Sequence, residues 1–207
     1  DVSWTDIYQK YINGEKVDFT NHTTLEPVKD ILCPDYPSYG PHVFTDIMRA
    51  DVFIRELREF EAMEGDQLPE LMIMALPNDH TAGTRPGYPT PRAMVADNDL
   101  ALGRIVEAVS KSKFWANTAI LVVEDDSQGG WDHVSAYRTV AMVISPYSRL
   151  RKTISTYYTQ PSMIRTIEQI LGLPPMNIQD AIANPMADCF TDKADLTPYT
   201  ALPSNIP

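Results

Sequence analysis

The chain has 207 residues, enough for one domain or one large piece of a domain, and at 43% hydrophobic it has the material for a packed core. A net charge of −11 argues against a nucleic-acid partner, which needs a basic face for the phosphates, and against an anionic membrane surface. An acidic chain still takes up a phosphate ester when a metal supplies the local positive charge.

Residues 1–42 read as irregular, broken by Pro27, Pro34, Pro37, Gly40 and Pro41. The first helix is expected from about Thr45, its N-cap, to Phe60, with Ile47, Ala50, Ile54 and Leu57 on one face. Leu71-Met72-Ile73-Met74-Ala75-Leu76, apolar and bounded by breakers, reads as a buried strand ending at Pro77-Asn78-Asp79-His80. A loop rich in Gly, Pro and Thr follows from Thr81 to Pro91, with Pro89-Thr90-Pro91 as a rigid turn. A helix is expected over Ala96–Lys111, capped and opened by Asp97-Asn98-Asp99.

Thr118–Val123, β-branched and apolar on both faces, is the strongest strand in the chain and runs directly into Glu124-Asp125-Asp126. Val140–Ile144 is a third strand. The last helix starts near Thr159–Pro161 and stops at Gly172 and Pro174-Pro175. The tail after Phe190 is the one stretch whose composition approaches disorder. Strands and helices alternate, and the strands are continuously apolar, which implies an α/β layer with a largely parallel sheet. In such sheets ligands bind beyond the carboxyl ends of the strands, where both polar clusters are expected.

Three adjacent carboxylates at the end of a buried strand repel one another unless something compensates. A divalent cation does so directly, since carboxylate oxygens suit Zn, Mn, Mg or Ca. The plainer alternative is a solvated loop whose carboxylates face water. His133, across the Ser127-Gln128-Gly129-Gly130 turn, favours the metal, with Asp132 placed to orient its ring or to ligate. Asp79 and His80 form a second candidate cluster. Arg138 is a candidate phosphate contact by a bidentate fork, and equally a partner for the aspartates. Cys33 and Cys189 fit either one disulfide or two buried thiols. No apolar run reaches the length of a membrane span.

Taken in order, Leu76-Pro77-Asn78-Asp79-His80-Thr81, Asp97-Asn98-Asp99, Glu124-Asp125-Asp126, Asp132-His133-Val134, Arg138 and Ile144-Ser145-Pro146-Tyr147 resemble the phosphoesterase family. That family includes the bacterial phospholipase C and acid phosphatase relatives of the alkaline phosphatase superfamily, and the likeness is nearest to the branch often fused to a β-propeller. It covers roughly residues 44–190, with 1–43 a lead-in and 191–207 a tail. The resemblance implies an alkaline phosphatase-like three-layer sandwich with a largely parallel central sheet, of which this chain would be the C-terminal part.

The resemblance also implies a hydrolase acting on phosphate mono- or diesters with one or two divalent metals. Asp125 and Asp126 match its acidic pair, His133 the downstream histidine ligand, and Asp79 or His80 the upstream ligand position. There the superfamily's Asp, three residues, then His is broken, because Leu76 stands in place of the Asp. The Ser or Thr nucleophile has no counterpart among Thr5, Thr20, Thr23 and Thr45, so it is expected upstream. The chain alone is therefore expected to be inactive and to associate with an upstream polypeptide or a second copy. A periplasmic or extracellular location is expected, though no residue fixes it. Sulfate- or phosphonate-ester hydrolysis is the nearest chemical rival. A non-catalytic module that binds calcium or a partner is the rival from another class.

Overall fold

A computed structural model describes residues 3–38, 43–127, 134–135 and 137–206. The chain divides into two compact units, residues 1–113 with 198–207, and residues 114–197.

The first unit is helical. Helix α1 (Trp4–Ile12) opens on Ser3, whose hydroxyl accepts from Asp6 N. Trp4, Ile7, Tyr8, Tyr11 and Ile12 recur at helical spacing, so the expectation of an irregular lead-in is corrected here. Prolines do not interrupt the chain until Pro27. Helix α2 (Asp46–Ala62) starts as expected at Thr45, whose hydroxyl accepts from Met48 N. It buries Met48, Ala50, Phe53 and Leu57.

Helix α3 (Pro91–Ser110) packs on α2 and buries Met94, Ala101, Ile105, Val106 and Val109. It begins five residues earlier than expected. Thr90 is its N-cap, accepting from Ala93 N, and Pro91 takes the first helical position, where a missing N–H costs nothing. Asp97-Asn98-Asp99 therefore lies inside the helix and does not open it. The tail returns to this unit: Tyr199 N donates to Ser110 Oγ (2.9 Å), Ala201 N donates to Glu107 Oε2 (3.1 Å), and Ala201 lies beside Gly103. The earlier part of the tail bonds elsewhere, Thr191 N to the Tyr147 carbonyl and Asp195 N to the Pro146 carbonyl, so the stretch after Phe190 is hydrogen-bonded where its composition suggests disorder.

The second unit holds the sheet. Strands β1 (Ile120–Val123) and β2 (Ala141–Ile144) pair antiparallel, Leu121 opposite Val143. One more backbone bond, Glu124 N to Val140 O at 3.0 Å, extends the ladder. Leu121 and Val143 pack on a cluster of Met163, Met186 and Cys189 with Ile154, Tyr158, Ile167 and Phe190. Met163 and Ile167 come from α4 (Gln160–Leu171), which is capped by Thr159 and ended by Gly172 in the left-handed conformation, φ 69°. Helix α5 (Ile178–Ala181) follows.

Helices with a small sheet are consistent with an α/β fold. The expected largely parallel sheet is not shown, since the two strands of the described residues are antiparallel. Nor is the run from Leu71 to Leu76 a buried strand. It is in no ladder, its exposure alternates residue by residue, and Ile73 is 88% exposed. The alternation is that of a strand with one face free. With no partner strand among the described residues, its outer side chains are left uncovered, and side chains rather than a strand meet its last carbonyls, Tyr36 Oη at Ala75 and Asn98 Nδ2 at Leu76. Both cysteines are free thiols. Among the described residues no helix is long and apolar enough to cross a membrane.

Candidate functional site

Each unit carries one group of the expected site residues. In the second, β1 runs straight into the acidic cluster. Glu124 is half-buried, and its Oε2 accepts from Val140 N at 3.4 Å. Asp125 and Asp126 face solvent. Asp125 Oδ1 accepts from Asp126 N at 2.9 Å, and the Asp125 carbonyl accepts from Gln160 Nε2 at 2.5 Å, which ties the strand end to the first turn of α4. Water thus screens the two aspartates. The repulsion expected of a dry strand end is correspondingly weak. Asp132 and His133 lie outside the described residues. Arg138 is exposed on the segment that returns to β2.

In the first unit, Asp79 and His80 sit half-buried on a 3-10 turn, Pro77–His80. Asp79 Oδ1 accepts from His80 N at 3.1 Å. The next residue, Thr81, has φ 56° and ψ 165°, a conformation that costs a β-branched residue on the order of 1–3 kcal/mol and persists only where its surroundings impose it.

Just before this turn in the chain, Leu76 and Asn78 are held by a buried polar network that the sequence reading missed. The Asp46 and Arg49 side chains are fully buried and paired at 3.0 Å. Arg49 also donates to the carbonyls of Pro37, Ser38 and Phe44. Asp46 Oδ2 accepts from Asn78 N (2.9 Å) and Asn98 Nδ2 (3.0 Å), and Asn98 Nδ2 reaches the Leu76 carbonyl as well, at 2.6 Å. Asp97 accepts from Asn78 Nδ2 (2.5 Å), Asp46 N (2.6 Å) and Ile47 N (3.4 Å). The last two are first-turn N–H groups of α2. Asp97 therefore caps a helix 51 positions away and places its charge at that helix's positive end.

Burial dominates the electrostatics. It pushes the Asp46 carboxyl up from 3.8 to about 6, against the opposing pull of the Asn78 N–H, the Arg49 guanidinium and the Asn98 amide. Burial likewise raises the Asp97 pKa and lowers that of Arg49. Asn78 Oδ1 is buried with no hydrogen-bond partner among the described residues.

Residues 89–174 match the model of the Phosphoesterase family. The matched stretch is less than half of the chain. It takes in α3, β1, the acidic strand end, Asp132, His133, Arg138, β2 and α4, and leaves Asp79 and His80 outside. The match supports a phosphoesterase relationship for this part of the chain, and with it hydrolysis of phosphate esters. No curated protein matches the chain. The donors present in each unit, carboxylate oxygens at Asp125 and Asp126 and carboxylate with imidazole at Asp79 and His80, are of the kinds that zinc, manganese and magnesium accept. Among the described residues no group of three His, Cys, Asp or Glu that could hold a metal ion comes together.

Proposed function

We propose that this chain is the C-terminal part of a divalent-metal-dependent phosphoesterase of the alkaline phosphatase superfamily. The observation that carries the reading is the Phosphoesterase match over 89–174, which includes the acidic run at the end of β1. In the second unit, Asp125, Asp126 and His133 are the proposed ligands, with Asp132 orienting the imidazole and Arg138 holding a phosphoryl oxygen. In the first unit, Asp79 and His80 are the proposed ligands. A bound ion of this kind polarises the phosphoryl oxygens and lowers the pKa of an attacking hydroxyl.

The hydroxyl nucleophile, and further strands beside Leu71–Leu76, would come from an upstream polypeptide. The uncovered apolar run supports this, because exposed strand-like backbone is a template for pairing.

The test is hydrolysis of a chromogenic phosphate mono- and diester by the protein with its upstream segment, in zinc, manganese, magnesium or calcium. Activity is expected with the first three metals, and Asp126→Asn is expected to reduce it at least ~100-fold, the upper end of what losing a mere ligand-supporting partner does. Undiminished turnover in chelator or in Asp126→Asn overturns the reading. Binding of calcium alone, without turnover, favours a structural role. The isolated 207-residue chain is expected to turn over slowly or not at all. Rapid turnover by it places the nucleophile inside.

A further inference from the structure

The segment that carries Asp79 and His80 is held on both sides by one face of α3. Before the pair, Asn98 Nδ2 bonds the Leu76 carbonyl, Asp97 Oδ2 accepts from the Asn78 amide, and Asp46 accepts from Asn78 N. After it, Ala82 N points at Met94 Sδ, 3.3 Å away. Met94, Asp97 and Asn98 stand three and four positions apart, so they share a helix face. Between the anchors only Asp79, His80 and Thr81 remain, and Thr81 takes its positive φ there.

A network that only stiffened the α2–α3 pair would have no need of Leu76 or Asn78. Its two carboxylates are already engaged, Asp46 by Arg49 and Asp97 by the N-terminus of α2. Yet Asp46 Oδ2, Asp97 Oδ2 and the Asn98 amide also hold the backbone and side chain just before the Asp-His pair. Asp46 and Asn78 are buried and Asp97 and Asn98 half-buried, so these bonds are costly to leave unmade, which favours a rigid geometry.

We propose that Asp46, Asp97 and Asn98 are positioning residues for Asp79 and His80, setting the backbone of residues 76–82 so that the two side chains are presented in one orientation. This rests on the reading of Asp79 and His80 as metal ligands, and the experiment separates the two. Asn98→Leu removes both donated bonds at nearly constant shape. Asp97→Asn is the milder variant, keeping one acceptor, in case the first does not fold. Leu57→Ala, in the α2 core away from the segment, is the control for destabilisation alone.

Backbone and imidazole NMR resonances of His80 are recorded without metal and then through a zinc titration, alongside thermal unfolding. Asn98→Leu and Asp97→Asn are expected to shift the metal-free His80 resonances. They are also expected to weaken the zinc-induced change roughly tenfold or more. Leu57→Ala is expected to lower the melting temperature and leave His80 unmoved. Metal-free His80 resonances unchanged in a folded Asn98→Leu or Asp97→Asn protein, or moved as much in Leu57→Ala, overturn the positioning role. If zinc leaves His80 untouched in the wild type, the ligand reading fails, and positioning is still decided by the metal-free spectra.

Discussion

Asp46 shows what a buried carboxylate does even when every oxygen is bonded. Its side chain is fully buried, it faces Arg49, and it accepts from Asn78 and Asn98, yet burial still lifts it from 3.8 to about 6. A folded-state pKa above the unfolded one means that the native state holds the proton more tightly. The associated stability is fully present below about pH 3.8 and is lost as the pH rises through about 6. A shift of this size corresponds to roughly 3 kcal/mol. Urea unfolding of wild type and of Asp46→Asn, compared from about pH 4 to about pH 7, is therefore expected to show the wild type losing roughly that much relative to the variant. A difference that stays flat across the range removes Asp46 as the titrating group. Asp97 and Asn98 were legible in the sequence only as helix-opening residues, because their type suits a cap. What they cap and brace lies on α2 and on residues 76–78, and no local pattern encodes such a partner.

Among elements, local signals read best. The caps at Thr45 and Thr159, the stop at Gly172 and both paired strands were within two residues of their observed places, because each is set by side chains within a turn or by a short apolar run. Two misreadings share a cause. Prolines suggest a rigid turn at Pro89-Thr90-Pro91, where Pro91 instead starts α3. Those further along 1–42 mask the helical spacing of Trp4 to Ile12. Two glycines make the local rules testable in opposite directions. Gly172, at φ 69°, has open space for a Cβ but a backbone that resists one, so Gly172→Ala is expected to cost roughly 1–2 kcal/mol. Gly103 is inside α3 with the Ala201 Cβ at an ordinary 3.6 Å, so Gly103→Ala is expected to stabilise by up to ~1 kcal/mol. Denaturant midpoints decide both, and a stabilising Gly172→Ala or a destabilising Gly103→Ala contradicts the local account.

At the scale of the whole molecule, the acidic strand end was legible because it follows an unmistakable strand, whereas the sheet around it was not. A run such as Leu71–Leu76 states that it is extended and apolar, but not what covers it. In this chain Leu71 and Ile73 remain exposed. If upstream strands complete the sheet, amide hydrogens of residues 71–76 should exchange nearly unprotected in the isolated chain and become strongly protected in the longer polypeptide. Equal exchange in both would leave the run without a partner strand upstream.

The return of the tail to α3 bears on the order in which the molecule is made. In the first unit Tyr199 N and Ala201 N donate to Ser110 Oγ and Glu107 Oε2, and those residues leave the ribosome only after all of 114–197. Its helices can pair early, as α2 and α3 are near neighbours in sequence, but the bonds made by Tyr199 and Ala201 wait until those residues have been synthesised. The second unit is in effect an insertion within the first, free to fold while its host is still unfinished.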